Sequence, residues 1–274
     1  MKIAILGTGN MGKALISGLR RKYGEGITII AWDKNSEALK AVEGAAAALE
    51  PAKWFIGEAV PDAIIIAVKP FDVEAALTPL IAQGGTKLTA PLWVSIVAGK
   101  SIATFQKLFA QGGAEVKDVR FCRVMPNTPA LIDEAMSVYT MSENATEKDA
   151  QIAEKIFHAC GKTIAVPEKF MNAVTGLSGT GPAYVFFFIE SLIEAGVIAG
   201  LPQRIARECA LQTVVGAAKL AAVSPESLAD LKMKVMTPAG TTASAVMVLE
   251  QHSFKHAIIK AVVAATRRSE QLEK

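Results

Sequence analysis

Residues 2–19 read Lys2-Ile-Ala-Ile-Leu-Gly-Thr-Gly-Asn-Met-Gly-Lys-Ala-Leu-Ile-Ser-Gly-Leu19, and their order decides the fold. A short run of strand formers meets three glycines and passes at once into a helical pattern. In such a turn Gly7 makes the bend, Gly9 lets a pyrophosphate approach the backbone, and Gly12 lets helix and strand pack closely. Asn10 and Met11 then open a helix whose first N–H groups favour an anion. A second strand, Ile27 to Trp32, ends in Asp33, twenty-one residues after Gly12. An acid there takes ribose hydroxyls and disfavours a 2'-phosphate, whereas Lys34 beside it pulls the other way. NADH and NADPH therefore both remain open as cofactors.

The same logic extends along the chain. Ala63 to Val68 is apolar on both faces, as a buried parallel strand requires, and stops at Lys69-Pro70. Leu92 to Val97 closes at Ala98-Gly99, and Val119 to Val124 runs into Met125-Pro126-Asn127-Thr128-Pro129. Ligands of such sheets sit beyond the carboxyl ends of the strands. The expected cofactor rim is therefore Gly7, Gly9, Asn10, Met11, Gly12, Asp33, Lys34, Ala67, Val68, Lys69, Pro70, Ala98, Met125, Pro126 and Asn127. Two prolines fix the 123–130 loop. Its Asn127 and Thr128 either hydrogen-bond a ligand amide or hold the loop's own backbone, as Asx turns do. Ala135 to Thr140, a helix near Thr146 to Cys160, and Lys162 to Val166 finish the sheet. These patterns predict an α/β protein: a Rossmann domain over residues 1–166, with a doubly wound, mostly parallel sheet, followed by an all-α domain over 167–274.

Two stretches of the helical half carry hydroxyls, glycine and proline where a helix would start. They are Thr175-Gly-Leu-Ser-Gly-Thr-Gly-Pro-Ala-Tyr184 and Thr237-Pro-Ala-Gly-Thr-Thr242. Each reads either as a cap with tight helix packing or as a turn that holds an anion. Two of them in one domain suggest a shared site. Ala183 to Gly200 is apolar nearly all round but carries Glu190 and Glu194. It reads as too short and interrupted for a bilayer, and as a core helix or subunit interface.

Composition excludes several classes. The 274 residues are 51% hydrophobic and 20% charged, with a net charge of +3 and no basic run, so neither nucleic acid nor an anionic membrane is an expected partner. Cys122, Cys160 and Cys209 have no C-x-x-C spacing and fit a reducing cytoplasm. His252 and His256 lie four apart but lack a third ligand, so no metal is expected. The loops at 123–130, 175–184 and 237–242 contain neither histidine nor lysine to act as a base for alcohol oxidation. Their hydroxyls and N–H groups suit a carboxylate and a nitrogen, and an imine that arrives protonated needs chiefly orientation toward a hydride donor.

Seven motifs in order, Gly7-x-Gly-x-Met-Gly12, Val68-Lys-Pro70, Arg123-Val-Met-Pro-Asn-Thr-Pro-Ala130, Thr175–Tyr184, Gln212-Thr-Val-x-Gly-Ala-Ala218, Pro238-x-Gly-Thr-Thr242 and Arg268-Ser-x-x-Leu272, resemble the pyrroline-5-carboxylate reductases across essentially the whole chain. The resemblance implies reduction of 1-pyrroline-5-carboxylate to L-proline by NADPH or NADH, the last step of proline synthesis, in a homodimer or larger homo-oligomer. It implies that Thr242 hydrogen-bonds the ring nitrogen as the catalytic contact. By the same resemblance Ser178, Gly179, Thr180, Gly181, Thr237, Gly240 and Thr241 cradle the carboxylate and ring, in sites completed across the dimer. The chain departs from the family pattern at Ala239 (commonly glycine), at Thr180 (frequently serine), at Met233 and Met236 (usually polar), and near Ile56 (often asparagine). The remaining alternatives are a β-hydroxyacid dehydrogenase, disfavoured by Pro182-Ala-Tyr-Val185 where that family has a catalytic lysine, and a non-catalytic nicotinamide sensor.

Overall fold

The computed structural model describes residues 1–40, 43–47, 51–55 and 60–273, so the Ile56 departure lies outside the described residues. The chain forms two compact units: Met1–Thr180 with Ala265–Lys274, and Gly181–Ala264. This division falls after Thr180 rather than at 167. The residues that follow Pro167 pack on the sheet, where Met171 is buried with Met125 and Val138.

The first unit is built on one eight-stranded sheet in the order β3-β2-β1-β4-β5-β6-β7-β8. The strands are β1 (Lys2–Leu6), β2 (Thr28–Trp32), β3 (Ala46–Ala47), β4 (Ala63–Ile66), β5 (Leu92–Ser95), β6 (Arg120–Met125), β7 (Ala135–Met141) and β8 (Gly161–Ala165). Neighbours run parallel except β6 and β7. Strand order reverses between β1 and β4, which opens a crevice at their carboxyl ends. β4 and β5 end earlier than their apolar runs, so Ala67-Val68 and Ile96-Val97 belong to the rim. The edge strand β3 lies in an alanine run that gives no strand signal, since alanine is depleted in strands.

Alternation along the strands sorts the core into two layers. Ile3, Ile5, Ile65, Val94, Cys122 and Val124 face one side, with Ala14, Leu15 and Leu19 of helix Asn10–Tyr23. Ala4, Leu6, Ile64, Ile66, Trp93 and Phe121 face the other, with Leu77 and Leu80 of helix Val73–Gly84 and Phe105 and Phe109 of helix Ile102–Gln111. Trp93 is fully buried, meets Phe109 edge-on at 4.8 Å, and donates from Nε1 to Leu88 O at 2.9 Å.

The second unit is helical. Helices Gly181–Ile198 and Gln203–Val223 pack so closely that a Cβ on Gly196 would lie 3.0 Å from Ala206 Cβ. Leu228–Val235, Thr241–Gln251 and Phe254–Glu273 follow, the last returning to the first unit from Ala265. Ser253, at φ 54°, separates the final two and interrupts the His252/His256 spacing. Helix Gly181–Ile198 contains no buried residue, so the core reading of this apolar segment fails within a single chain. Phe186 is 64%, Phe187 71% and Ile198 88% exposed. The continuous helical run Glu168–Ile198 is also longer than the segment read from sequence, and by length and composition alone it could cross a membrane.

Candidate active site

The glycine turn follows from packing. Gly7 turns the chain at φ 106°, and a Cβ there would lie 2.7 Å from Ala67 O. At Gly12 a Cβ would lie 2.2 Å from Gly7 O, whereas at Gly9 it would meet nothing within 4 Å. That open side is where a pyrophosphate needs close approach. The first intrahelical bond, Lys13 N to Gly9 O at 2.9 Å, leaves the N–H groups of Asn10, Met11 and Gly12 ahead of it, the arrangement that suits an anion at a helix start.

Gly7, Gly9, Asp33, Lys34, Ala67, Val68 and Lys69 line one cleft of about 370 Å³ beside that helix start, with Trp32, Asn35 and Asp72. Pro70 begins the short turn Pro70–Asp72, and Ala98 is exposed on the rim beyond β5. The Asp33 carboxylate is turned toward the glycine loop. Its Oδ2 accepts from Thr8 N at 2.6 Å and from Thr8 Oγ1 at 3.1 Å, and its Oδ1 accepts from Asn35 N at 2.9 Å. Lys34 Nζ pairs with Asp72 at 2.6 Å. One wall of the cleft is thereby held by an acid anchored at three points.

At the end of β6, Met125 and Pro126 are buried and Asn127 is half-buried. Facing them, Thr175–Gly179 widens into a π-helical turn, a feature common at functional sites. The Thr175 carbonyl accepts both Thr180 N and Thr180 Oγ1 at 2.9 Å, so the Thr180 hydroxyl is spent on the turn itself. A Cβ on Gly179 would lie 3.0 Å from Met125 Sδ, which makes glycine the residue that lets the turn seat on β6. Met125, Pro126, Asn127, Ser178, Gly179 and Thr180 thus come together within the first unit. A Cβ on Gly181, the next residue, would meet nothing within 4 Å.

In the helical unit, Gly240 N donates to Thr237 O at 2.9 Å and closes a turn with Pro238 second and Ala239 third. Ala239 takes φ 56°, the left-handed region that a type II turn demands at its third position and that glycine occupies without cost. A Cβ on Gly240 would lie 2.2 Å from Thr237 Oγ1. Helix Thr241–Gln251 then begins, and its first bond, Ser244 N to Gly240 O at 3.3 Å, leaves the N–H groups of Thr241, Thr242 and Ala243 ahead of it. Met233 is exposed at 59% and closes no core. Among the described residues no three His, Cys, Asp or Glu side chains gather into a possible metal site.

A support beneath the rim is not visible in the sequence. Arg123 on β6 is 2% exposed and pairs with Glu168 at 3.2 Å and with Glu273. Glu168 also accepts Ile102 N at 2.8 Å, Asn172 Nδ2 donates to Glu273 at 2.7 Å, and Ser269 Oγ donates to Asn172 Oδ1 at 2.6 Å. Leu272 packs on Gly99. The motif Arg268-Ser-x-x-Leu272 is therefore a clasp that fixes the chain's end to the sheet. Its sequence signal is a charged terminal helix, which reads equally as a solvated face.

The comparisons with known proteins bear on this arrangement. Residues 168–272 match the family described as pyrroline-5-carboxylate reductase dimerisation, and residues 2–99 match that described as NADP oxidoreductase, coenzyme F420-dependent. The pyrroline-5-carboxylate reductase of Synechocystis is 43% identical over 78% of this chain and 76% of its own. That of Methanosarcina acetivorans is 35% identical over 100% of this chain and 98% of its own.

The chain belongs to the pyrroline-5-carboxylate reductase family.

The crystal structure of Plasmodium falciparum pyrroline carboxylate reductase with NADP bound superimposes with a TM-score of 0.87 at 30% identity, covering 100% of this chain and 98% of that one. Pyrroline-5-carboxylate reductases reduce 1-pyrroline-5-carboxylate to proline, and this chain is an NAD(P)H-dependent oxidoreductase of that family. The exposed apolar helix Gly181–Ile198 lies inside the stretch matched as the reductase dimerisation unit, so homo-oligomerisation accounts for surface that a lone chain leaves bare.

Proposed function

We propose that this reductase works in the cytoplasm as a homodimer or larger homo-oligomer. In this reading residues 1–166 bind the dinucleotide and residues 167–274 bind substrate and partner. The observation that carries it is the pairing of a glycine-lined cleft at the switch point of the sheet with two glycine and hydroxyl turns at helix starts. The reduced nicotinamide supplies the hydride. Gly7, Gly9, Asn10, Met11 and Gly12 hold the pyrophosphate by backbone N–H groups and close approach, while Asp33, Lys34, Ala67, Val68, Lys69 and Pro70 wall the adenosine side. Ala98, Met125 and Pro126 line the nicotinamide end of the rim.

The substrate needs two recognitions. Its carboxylate suits the N–H groups at the start of helix Thr241–Gln251, with Thr237, Gly240 and Thr241 forming the approach, and Ser178 to Gly181 cradle the ring. Its ring nitrogen carries the positive charge that makes the adjacent carbon electrophilic. The Thr242 hydroxyl accepts from that N–H, orients the ring, and stays hydrogen-bonded as the iminium becomes an amine. No side chain need remove a proton, which agrees with loops that carry hydroxyls and no histidine. Thr242→Ala is expected to lower kcat by about tenfold to a hundredfold with dinucleotide affinity unchanged, as an interaction needed in the transition state requires. Equal loss of both, measured by steady-state kinetics and dinucleotide titration, would remove Thr242 from this role.

A further inference from the structure

Asn127 stands at the start of the short helical turn Thr128–Ile132, where asparagine usually caps its own turn, yet its side chain makes no capping bond. It reaches outward in two directions. Oδ1 accepts Met136 N of β7 at 3.0 Å, and Nδ2 donates to Ser178 O at 3.2 Å with a second, longer approach to Ser178 Oγ at 3.4 Å. A backbone donor on one side and a backbone acceptor on the other fix the amide's orientation, so each end has a partner within the protein. Of the two readings open from sequence, the Asx turn does not describe it, because the amide holds residues of other elements and not its own turn.

We infer that Asn127 is a positioning residue that ties the substrate wall at Ser178–Gly179 to the sheet rim, and not a hydrogen-bonding partner of the cofactor. Three observations converge. The amide is a polar bridge between β7 and the π-helical turn; Gly179 seats on Met125 so closely that an added Cβ would lie 3.0 Å from the sulfur, the apolar half of the same contact; and the Ser178 hydroxyl, approached by an N–H donor, keeps its own proton for a ligand. The strand end that meets the nicotinamide side therefore also sets the height of the turn that meets the imino acid. Through that bridge the distance between hydride donor and acceptor is fixed by protein geometry before either ligand arrives. The inference rests on the reading of Ser178 to Gly181 as substrate wall.

Asn127→Asp is nearly isosteric and keeps the acceptor for Met136 N, but it sets a carboxylate oxygen against the Ser178 carbonyl. The expected result, in the intact oligomer, is a rise of about tenfold or more in KM for pyrroline-5-carboxylate. Affinity for NADH and NADPH, read by nucleotide fluorescence, should change less than about twofold, and the thermal unfolding temperature should fall by only about 2–4 °C, as loss of one part-buried hydrogen bond implies. Asn127→His, which offers a donor of similar reach, should recover part of the KM. A loss of dinucleotide affinity with KM unchanged would overturn the inference, as would a fall in thermal stability that lowers all parameters equally. Gly181→Leu separates the two claims, because its side chain would enter the open space beside the turn. If Gly181→Leu raises KM and Asn127→Asp does not, the positioning role is wrong while the wall stands. If neither raises KM, the wall itself is wrong.

Discussion

Ala239 holds a left-handed backbone at φ 56° in the turn before Thr241, where a Cβ costs roughly 1 kcal/mol. Ala239→Gly should therefore raise stability by about 0.5–1 kcal/mol in urea denaturation, and a loss of stability would show that the turn is not under this strain. The methyl group stands out in the sequence as a departure, but its cost does not, because φ is fixed by the Gly240 N to Thr237 O bond. Asp33 is a second case. Its position after β2 is legible from glycine spacing, but its grip on Thr8 N at 2.6 Å is not. With that carboxylate anchored beside the cleft, Asp33→Ser should lower the ratio of kcat/KM for NADH over NADPH by about tenfold. An unchanged ratio would mean that Asp33 only braces the loop.

At the scale of elements, the strands are legible because the sheet is apolar on both faces, and a run such as Ala63 to Val68 is too short for a core helix and too apolar for a loop. Strand ends are less legible: β4 and β5 stop where the chain leaves its neighbours' ladders, which depends on register rather than residue type. The clasp between Arg123, Glu168 and Glu273 is invisible in the sequence because its members lie far apart along the chain. Removing one partner of a buried pair strands the other charge. Glu273→Ala should cost about 3 kcal/mol, the lower end of the usual range because Glu168 still faces Arg123. Equilibrium unfolding that moves by less than about 0.5 kcal/mol would show the clasp to be ornamental. Cys160, where helix Glu147–Phe157 leads into β8, predicts a pH effect. Burial pushes its thiol up from 9.0 to about 11. A raised value means full stability below 9.0, and stability lost as pH rises toward 11, because the unfolded chain ionises first. Cys122, more deeply buried, is pushed up further and acts in the same direction. The melting temperature should fall across that interval, and Cys160→Ala should flatten part of the fall.

For the whole molecule, composition and motif order point to a Rossmann unit followed by helices. What they cannot give is the boundary after Thr180 or the return of Ala265–Lys274 to the first unit, since both depend on which surface each segment packs against. The apolar helix Gly181–Ile198 reads as core or interface from sequence, and its bare surface in one chain leaves the interface reading. Phe187→Asp should therefore shift the protein toward monomer in light scattering and lower activity with it, because a charge in an apolar interface is costly. Retention of the oligomer would place the interface elsewhere. The central claim is tested most directly by mixing the purified protein with pyrroline-5-carboxylate and either NADH or NADPH, and following cofactor oxidation together with proline formation. The prediction is one proline formed per dinucleotide oxidised with at least one of the two cofactors. Dinucleotide binding without oxidation of either would contradict it.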